Sequence, residues 1–413
     1  MDPKEKRQKL STPELESRSL SKKDVLAITN PSLNSKVDDV GEAMKKQNDV
    51  AMFLTEKAIS ALARNSNFVF SPASINAALT MLAVTTEEET LRSSIFSILK
   101  TSSIDELNAV FHEVANTVLV DGTENGGPKI SAINGVWMEQ SLSLSPSKKD
   151  LLQNFFKAAL AQVDFRFKSK KVRKEVNEWA SRHTNDLIKN ILPHGSVTSD
   201  TDWIYGNAIY FKGAWKDKFP KSLTSEEEFY RPDGTSVSVP FMTTLYRSQY
   251  VREYDDFKVL KLLFQQGRDI DRQFSMYFYL PDDKDGLDSL VKRMASTPGF
   301  LDSHIPTEKV SIGEFRIPKF KIEFGFEALE AFNELGLDSV SLHHKAFVEV
   351  DEDGAEAAAV TVTGGRRGRR LFGTVRLIDF VADHPFLFLI KEDITSTIMF
   401  VGQVFDPPKP SSA

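Results

Sequence analysis

An α+β domain is predicted by three features of this 413-residue sequence. Apolar residues recur at helical spacing in some stretches and alternate or run continuously in others. The two kinds of stretch follow one another along the chain, and the later ones suggest antiparallel sheet. Hydrophobic content of 41%, with thirty phenylalanines, supplies a large core. Length alone leaves one or two domains open. No run is long and uncharged enough to span a membrane.

Composition narrows the chemistry. A net charge of -6 argues against a globally basic nucleic-acid binder but allows local basic patches. Zero cysteines remove disulfides, zinc-thiolate sites and thiol nucleophiles together, and are compatible with a reducing compartment. Residues 1–45 are rich in Ser, Lys, Glu and Pro and are expected to form a mobile, disordered extension. The start, MDPKEKRQKL, lacks the apolar core of a signal peptide, so an intracellular address, cytoplasmic or nuclear, is expected. Lys4, Lys6, Arg7 and Lys9 form a candidate nuclear-import signal, but Asp2 and Glu5 interrupt it, and a solvated tail reads the same way.

The globular body is expected over residues 46–408, with a short tail after it. From Asn48 the residues Val50, Phe53, Leu54, Ala58 and Leu62 give a helical stripe. Ser71 is placed to cap a second, central helix with Pro72 at its first position and Ile75, Ala78, Leu79 and Leu82 on one face. Residues 130–137 read as a strand, 176–192 as a helix stopped by Pro193, and 203–215 as an aromatic strand. Strand composition returns at 241–251, 259–264 and 274–280. Residues 310–324 alternate as a half-buried strand with an irregularity at Pro318. A short helix over 327–337 and a final buried strand over 396–404 complete the body.

The most informative stretch follows a strand at 347–350. Asp351, Glu352, Asp353 and Gly354 end that strand in a turn. Ala355, Glu356, Ala357, Ala358 and Ala359 favour helix locally, whereas Val360, Thr361, Val362 and Thr363 favour an extended chain. In extended form Ala355, Ala357, Ala359 and Thr361 share one face, all small, and no proline removes a backbone donor. Gly364 and Gly365 then loosen the chain ahead of Arg366, Arg367, Arg369 and Arg370, which suits protease cleavage.

This order of hinge, arginine cluster and the following DFVADHPFLFL resembles the reactive-centre loop of the serpins, particularly the plant branch. NFVFSPASINAAL and WIYGNAIYFKGAW also resemble serpin segments, and the likeness runs over about residues 48–407. The resemblance implies a multi-helix body around three β-sheets, with a large central sheet and an exposed loop and hinge at 352–378. It implies suicide inhibition, in which a protease cuts the loop and the cut loop enters the sheet as a new strand. By the same match Ser71, Ser74, Asn207 and His344 form a polar shutter, Trp215 sits where the loop first enters, and Lys319 faces Glu352 in a modest ion pair. Without the resemblance, His344 reads as a hydrogen-bonded structural histidine and Trp215 as core. Ala355 departs from the family's usual Thr or Ser but stays small.

The cut is placed between Arg369 and Arg370 by counting back from DFVADHPF, with Arg367–Gly368 second; counting forward from the hinge lands on Gly368. An arginine-specific target is expected, whether trypsin-like, papain-like or metacaspase-type. The alternative is a non-inhibitory relative whose polybasic loop binds nucleic acid or an acidic partner; otherwise the arginines only solubilise the loop. A monomer is expected. The seven histidines show no zinc-helix spacing, and no phosphate loop or GxSxG elbow is present, so neither metal nor cofactor nor enzyme activity is expected.

Overall fold

The computed structural model describes residues 31–332, 341–354 and 376–407. The chain divides into residues 1–42 and residues 43–413. Of the first unit, residues 31–42 are described and are helical. The basic N-terminal cluster, the hinge residues from Ala355 onward, the four loop arginines and the tail after residue 408 lie outside the described residues.

The first helix, α1 (Pro31–Ala58), begins upstream of Asn48. Ala43 and Met44 are buried with Val50, Ala51, Leu54 and Ala58. The stripe therefore extends one turn earlier, where the exposed Lys45 and Lys46 on the other face conceal it. At Ile59–Ala63 the helix widens to π geometry, which turns Ile59 and Ala63 inward and leaves Leu62 half-buried.

Strand β1 (Phe68–Phe70) leads into α2 (Pro72–Thr85). Ser71 caps α2 by accepting from the Ser74 amide, and Pro72 occupies the first turn, as the sequence predicts. Every residue of α2 but Val84 is buried, which fits a helix that is apolar nearly all round. It lies between two sheets, touching β4 (Trp203–Lys212) and β12 (Ser341–Val350) of one and β15 (Ile398–Val404) of the other. Helices α3 (Glu89–Ile98), α4 (Ile104–Glu113, continued as a π turn over Val114–Val118) and α5 (Pro146–Asp150, continued over Leu151–Phe155) follow.

The five-stranded sheet has the order β11-β12-β4-β2-β3, with β2 Lys129–Glu139, β3 Ala159–Val163 and β11 Phe320–Glu327. Helix α6 (Phe165–His183) packs Val172, Val176 and Ala180 against Trp137 of β2 and Ile204 and Ala208 of β4. Trp179 meets Trp137 edge-on at 4.9 Å. The sequence places this helix at 176–192, nine residues too late at its end. Its lysine-rich first half conceals the start, and Asn185 and Asp186 adopt positive φ values of 50° and 61° that stop it.

The second sheet runs β1-β15-β14-β9-β8-β7-β10-β6-β5. Its further strands are β5 (Ser225–Tyr230), β6 (Ser236–Met242), β7 (Ser248–Glu253), β8 (Phe257–Leu263), β9 (Phe274–Pro281), β10 (Val310–Pro318) and β14 (Phe386–Glu392). Strand β13 (Ile378–Val381) pairs off the path with β10. Instead of separating cleanly, the two smaller sheets implied by the resemblance join through Val310↔Gln249 and Ser311↔Ser248 of β10 and β7. The stretch 241–251 divides between β6 and β7, and 310–324 divides at Pro318. Proline offers no ladder donor, and Lys319 instead donates its amide to the Pro240 carbonyl as the chain passes from one sheet to the other.

Candidate functional site: a latched turn above a parallel seam

Strands β4 and β12 are parallel neighbours, in register from Ser341↔Ile204 to Phe347↔Tyr210. Every other pairing in the five-stranded sheet joins antiparallel strands except β2 with β3. Two parallel strands from distant parts of the chain are joined by no hairpin, so the seam between them can open without breaking a tight connection. The chain leaves β12 at Val350, at the same end of the sheet at which β4 runs into Gly213, Ala214 and Trp215.

At that end Asp351 organises the predicted turn. Its carboxylate accepts from the amides of Asp353 at 2.9 Å and Gly354 at 3.1 Å. Gly354 has φ +130°, and a Cβ there would strike the Gly213 carbonyl oxygen and lie 2.7 Å from the Ala214 Cα. The segment after β4 holds the turn by its backbone: Trp215 N–H donates to Asp353 O at 3.0 Å and Phe219 N–H to Glu352 O at 3.0 Å. The Trp215 indole donates to Asp351 O at 2.9 Å, and its ring stacks on Phe264 at 4.6 Å. Trp215 is thus both core and clamp.

Charge completes the latch. Lys319 Nζ lies 2.8 Å from Glu352 Oε2, and Thr224 Oγ1 donates to Glu352 Oε1 at 2.7 Å. Lys218 and Lys221 meet Asp353 at 3.1 and 2.7 Å. A hydrogen bond to a charged group contributes about 1.5–3 kcal/mol, and the one-third exposure of Lys319 puts its pair at the low end. Burial pushes the Glu352 carboxyl up, but hydrogen bonds from Lys319 and Thr224 outweigh it and hold the group below its ordinary value. The Lys221 hydrogen bond is the main cause that lowers Asp353.

Because both carboxyls are depressed in the folded chain, their stabilisation is complete above the ordinary carboxylate range and disappears as pH falls through the depressed values. The Trp215 indole N–H resonance, which reports the turn directly, should therefore hold steady down to that range and shift below it. Lys319→Met should move this transition to higher pH. An unchanged midpoint in that variant would remove Lys319 from the latch.

Midway down the seam, His344 of β12 and Asn207 of β4 form a register pair. Ser71 N–H donates to His344 Nε2 at 3.0 Å. Ser74 Oγ donates to Asn207 Oδ1, and Asn207 Nδ2 donates to Asn134 Oδ1 at 2.6 Å. Asn134 in turn donates to the Phe156 carbonyl at 3.1 Å. The network ties the N-terminus of α2 to both edges of the seam and onward to β2. Burial lowers His344 to about 3 and His343 to about 4, so both rings are neutral at pH 7. The unfolded chain binds more protons below the ordinary histidine value, so this pair costs stability progressively as pH falls from that value. A buried, uncharged ring with one nitrogen fixed as an acceptor holds position rather than transferring protons.

The structure brings together Ser71, Ser74, Asn207 and His344 in one cluster, and Trp215, Lys319, Glu352 and Gly354 in another. Sequence reading missed Asn134, Thr224, Lys218 and Lys221. Asn134 carried a signal, as the polar residue within an apolar strand; the two lysines flanking Phe219 and Pro220 carried none, because their partner Asp353 lies more than 130 residues away. On the far side of residues 355–375 the chain is anchored again: Ile378 and Phe380 of β13 pair with Ile312 and Phe315, and Arg376 meets Glu253 at 2.7 Å. Among the described residues no group of three or more His, Asp or Glu is placed to hold a metal, and no helix is long and apolar enough to cross a membrane.

The family model for Serpin (serine protease inhibitor) matches residues 45–407. This chain belongs to the serpin family. Among curated proteins, Serpin-Z2 of Arabidopsis thaliana is 59% identical over 414 residues, covering 100% of this chain and 99% of the relative. The Arabidopsis thaliana protein named "Probable non-inhibitory serpin-Z5" is 57% identical over 435 residues, covering 98% of this chain and 100% of the relative. The structure titled "Structure of Arabidopsis AtSerpin1. Native Stressed Conformation" superposes with a TM-score of 0.81 at 45% identity, covering 90% of this serpin and 99% of that chain. The plant branch and the serpin fold are both established by these likenesses, and with them a family whose members are generally protease inhibitors.

Proposed function

We propose that this serpin is an irreversible suicide-substrate inhibitor of an arginine-specific serine or cysteine protease. The observation that carries the reading is the direct parallel pairing of β4 with β12, with the turn that precedes the hinge latched above it. A protease nucleophile attacks the Arg369 carbonyl, the bond to Arg370 breaks, and the new amine leaves with the C-terminal fragment while the enzyme stays acylated. The freed segment, beginning at Ala355 with small residues on one face, enters the seam antiparallel to both neighbours. Ser71, Ser74, Asn207 and His344 act as the shutter that must part, and Glu352 with Lys319 as the latch that must release.

A second reading is favoured by one observation, the 57% identity to a relative whose printed name includes "non-inhibitory". In that reading the Arg366–Arg367–Gly368–Arg369–Arg370 run binds nucleic acid or an acidic partner through salt-dependent charge contacts. Incubation with a trypsin-like and a papain-like protease, followed by denaturing electrophoresis and mass analysis, separates the two. The inhibitor gives a denaturation-resistant complex and a fragment beginning at Arg370. Cleavage without complex by every protease tried, together with tight salt-sensitive binding to DNA, would replace it with the second reading.

A further inference from the structure

A cavity of about 150 Å³ lies among α1, the first half of α2, α4 with its π continuation, and strands β2 and β4. Its walls are apolar, with Met44, Leu54, Val110, Phe111, Leu119 and Ile398 prominent. Into it faces Asn48, which is only 5% exposed and whose Nδ2 has no hydrogen-bond partner among the described residues. Exposed Lys157 adds a positive charge to the lining. The polar lining also includes Gln47, Asn76 and Thr397, with Asn76 donating to Gln47 at 2.6 Å, and Ser74, Asn134 and Asn207, the network that ties α2 to β4 and β2.

A buried amide donor without a partner is costly, and native proteins rarely retain one that serves no purpose. A cavity of this size takes a ligand of about benzene dimensions. The donor requires an acceptor, and the lysine favours a negative one. We propose that this cavity is a binding site for a single-ring aromatic carboxylate, and that its occupancy holds β4 against β2 in the five-stranded arrangement. The ring fills the apolar walls and the carboxylate accepts from Asn48 in the field of Lys157. Asn207 contributes to both the cavity and the seam, so a ligand here stabilises the sheet state with which it is compatible. Any effect on protease trapping rests on the strand-insertion reading above; the binding does not.

Benzoate is the probe, titrated into the full uncleaved chain and followed by calorimetry and by amide hydrogen exchange. Saturable binding at one site is expected, with exchange in β4 slowed several-fold. Asn48→Leu should weaken benzoate at least about tenfold while leaving toluene, which has no acceptor, unaffected. That variant removes an unsatisfied amide and should raise Tm, so lost binding is not a folding defect. Ala115→Phe, at a half-buried lining position, should exclude both compounds. No saturable binding up to about 10 mM, equal affinity in Asn48→Leu, or unchanged exchange in β4 overturns the proposal. A chain that binds benzoate in this way but never forms a protease complex would sink only the inhibitor reading. One that traps proteases and ignores benzoate would sink only this one.

Discussion

Under the proposed mechanism, Ala357→Glu should convert the chain from inhibitor to substrate. In an extended segment Ala357 shares its face with Ala355, Ala359 and Thr361, the face that must pass beneath neighbouring side chains when the strand enters the seam. A carboxylate placed there is desolvated without a partner, a penalty of several kcal/mol. Trapping is a race between insertion and hydrolysis of the acyl-enzyme, and each 1.36 kcal/mol added to the insertion barrier slows it about tenfold. If about half of the penalty is felt at that barrier, the yield of stable complex falls on the order of a hundredfold while cleavage continues at its original rate. The sequence supplies a control: Glu356 already places a charge on the opposite face, so Ala358→Glu should keep most of the inhibition. Complex yield on denaturing gels, counted against cleaved product, is the readout. Equal yields from the two variants would dismiss the insertion model.

Arg369→Ala produces the other large effect. A guanidinium in a protease specificity pocket forms a charge-assisted pair with a carboxylate, and deleting one member of a buried pair costs about 2–5 kcal/mol. Association with an arginine-specific protease should therefore slow by at least about thirtyfold. Arg367→Ala should change it far less. A variant that keeps its inhibition and is now cut after Arg367 would overturn the register counted back from DFVADHPF in favour of the Arg367–Gly368 bond. Ala357→Glu and Arg369→Ala act on separate steps, so the chain carrying both should be cut slowly and not trapped.

What the sequence reveals and what it conceals follow from the reach of each signal. The N-cap at Ser71, the break at Pro318 and the turn at Asp351 are legible because a few adjacent residues fix the backbone there. Trp215 and Lys319 are legible only through likeness to a family, since nothing near either residue specifies a partner across the sheet. The start of α6 was hidden because its apolar stripe is sparse beside the lysines and its N-cap, Asp164, follows a strand without a loop of its own. The division of residues 241–251 was missed because a continuous apolar run looks the same whether it forms one strand or bends into two. The lysines at 218 and 221 reflect a general limit: an ion pair between distant segments leaves no periodicity in either one.

The second anchor, where β13 pairs with β10 just beyond residue 375, gives the molecule a topological safeguard. While the peptide between the two anchors is intact, it is a closed loop, and only its slack can enter the seam. To fill a seam ten residues long, the height of β4, the new strand must travel roughly 33 Å at about 3.3 Å per residue, carrying its far end to the opposite pole of the sheet. A tethered loop resists that journey; a severed one has a free end. In the proposed mechanism one hydrolytic event therefore changes the connectivity of the chain, with the protease that performs it held on the end that is released.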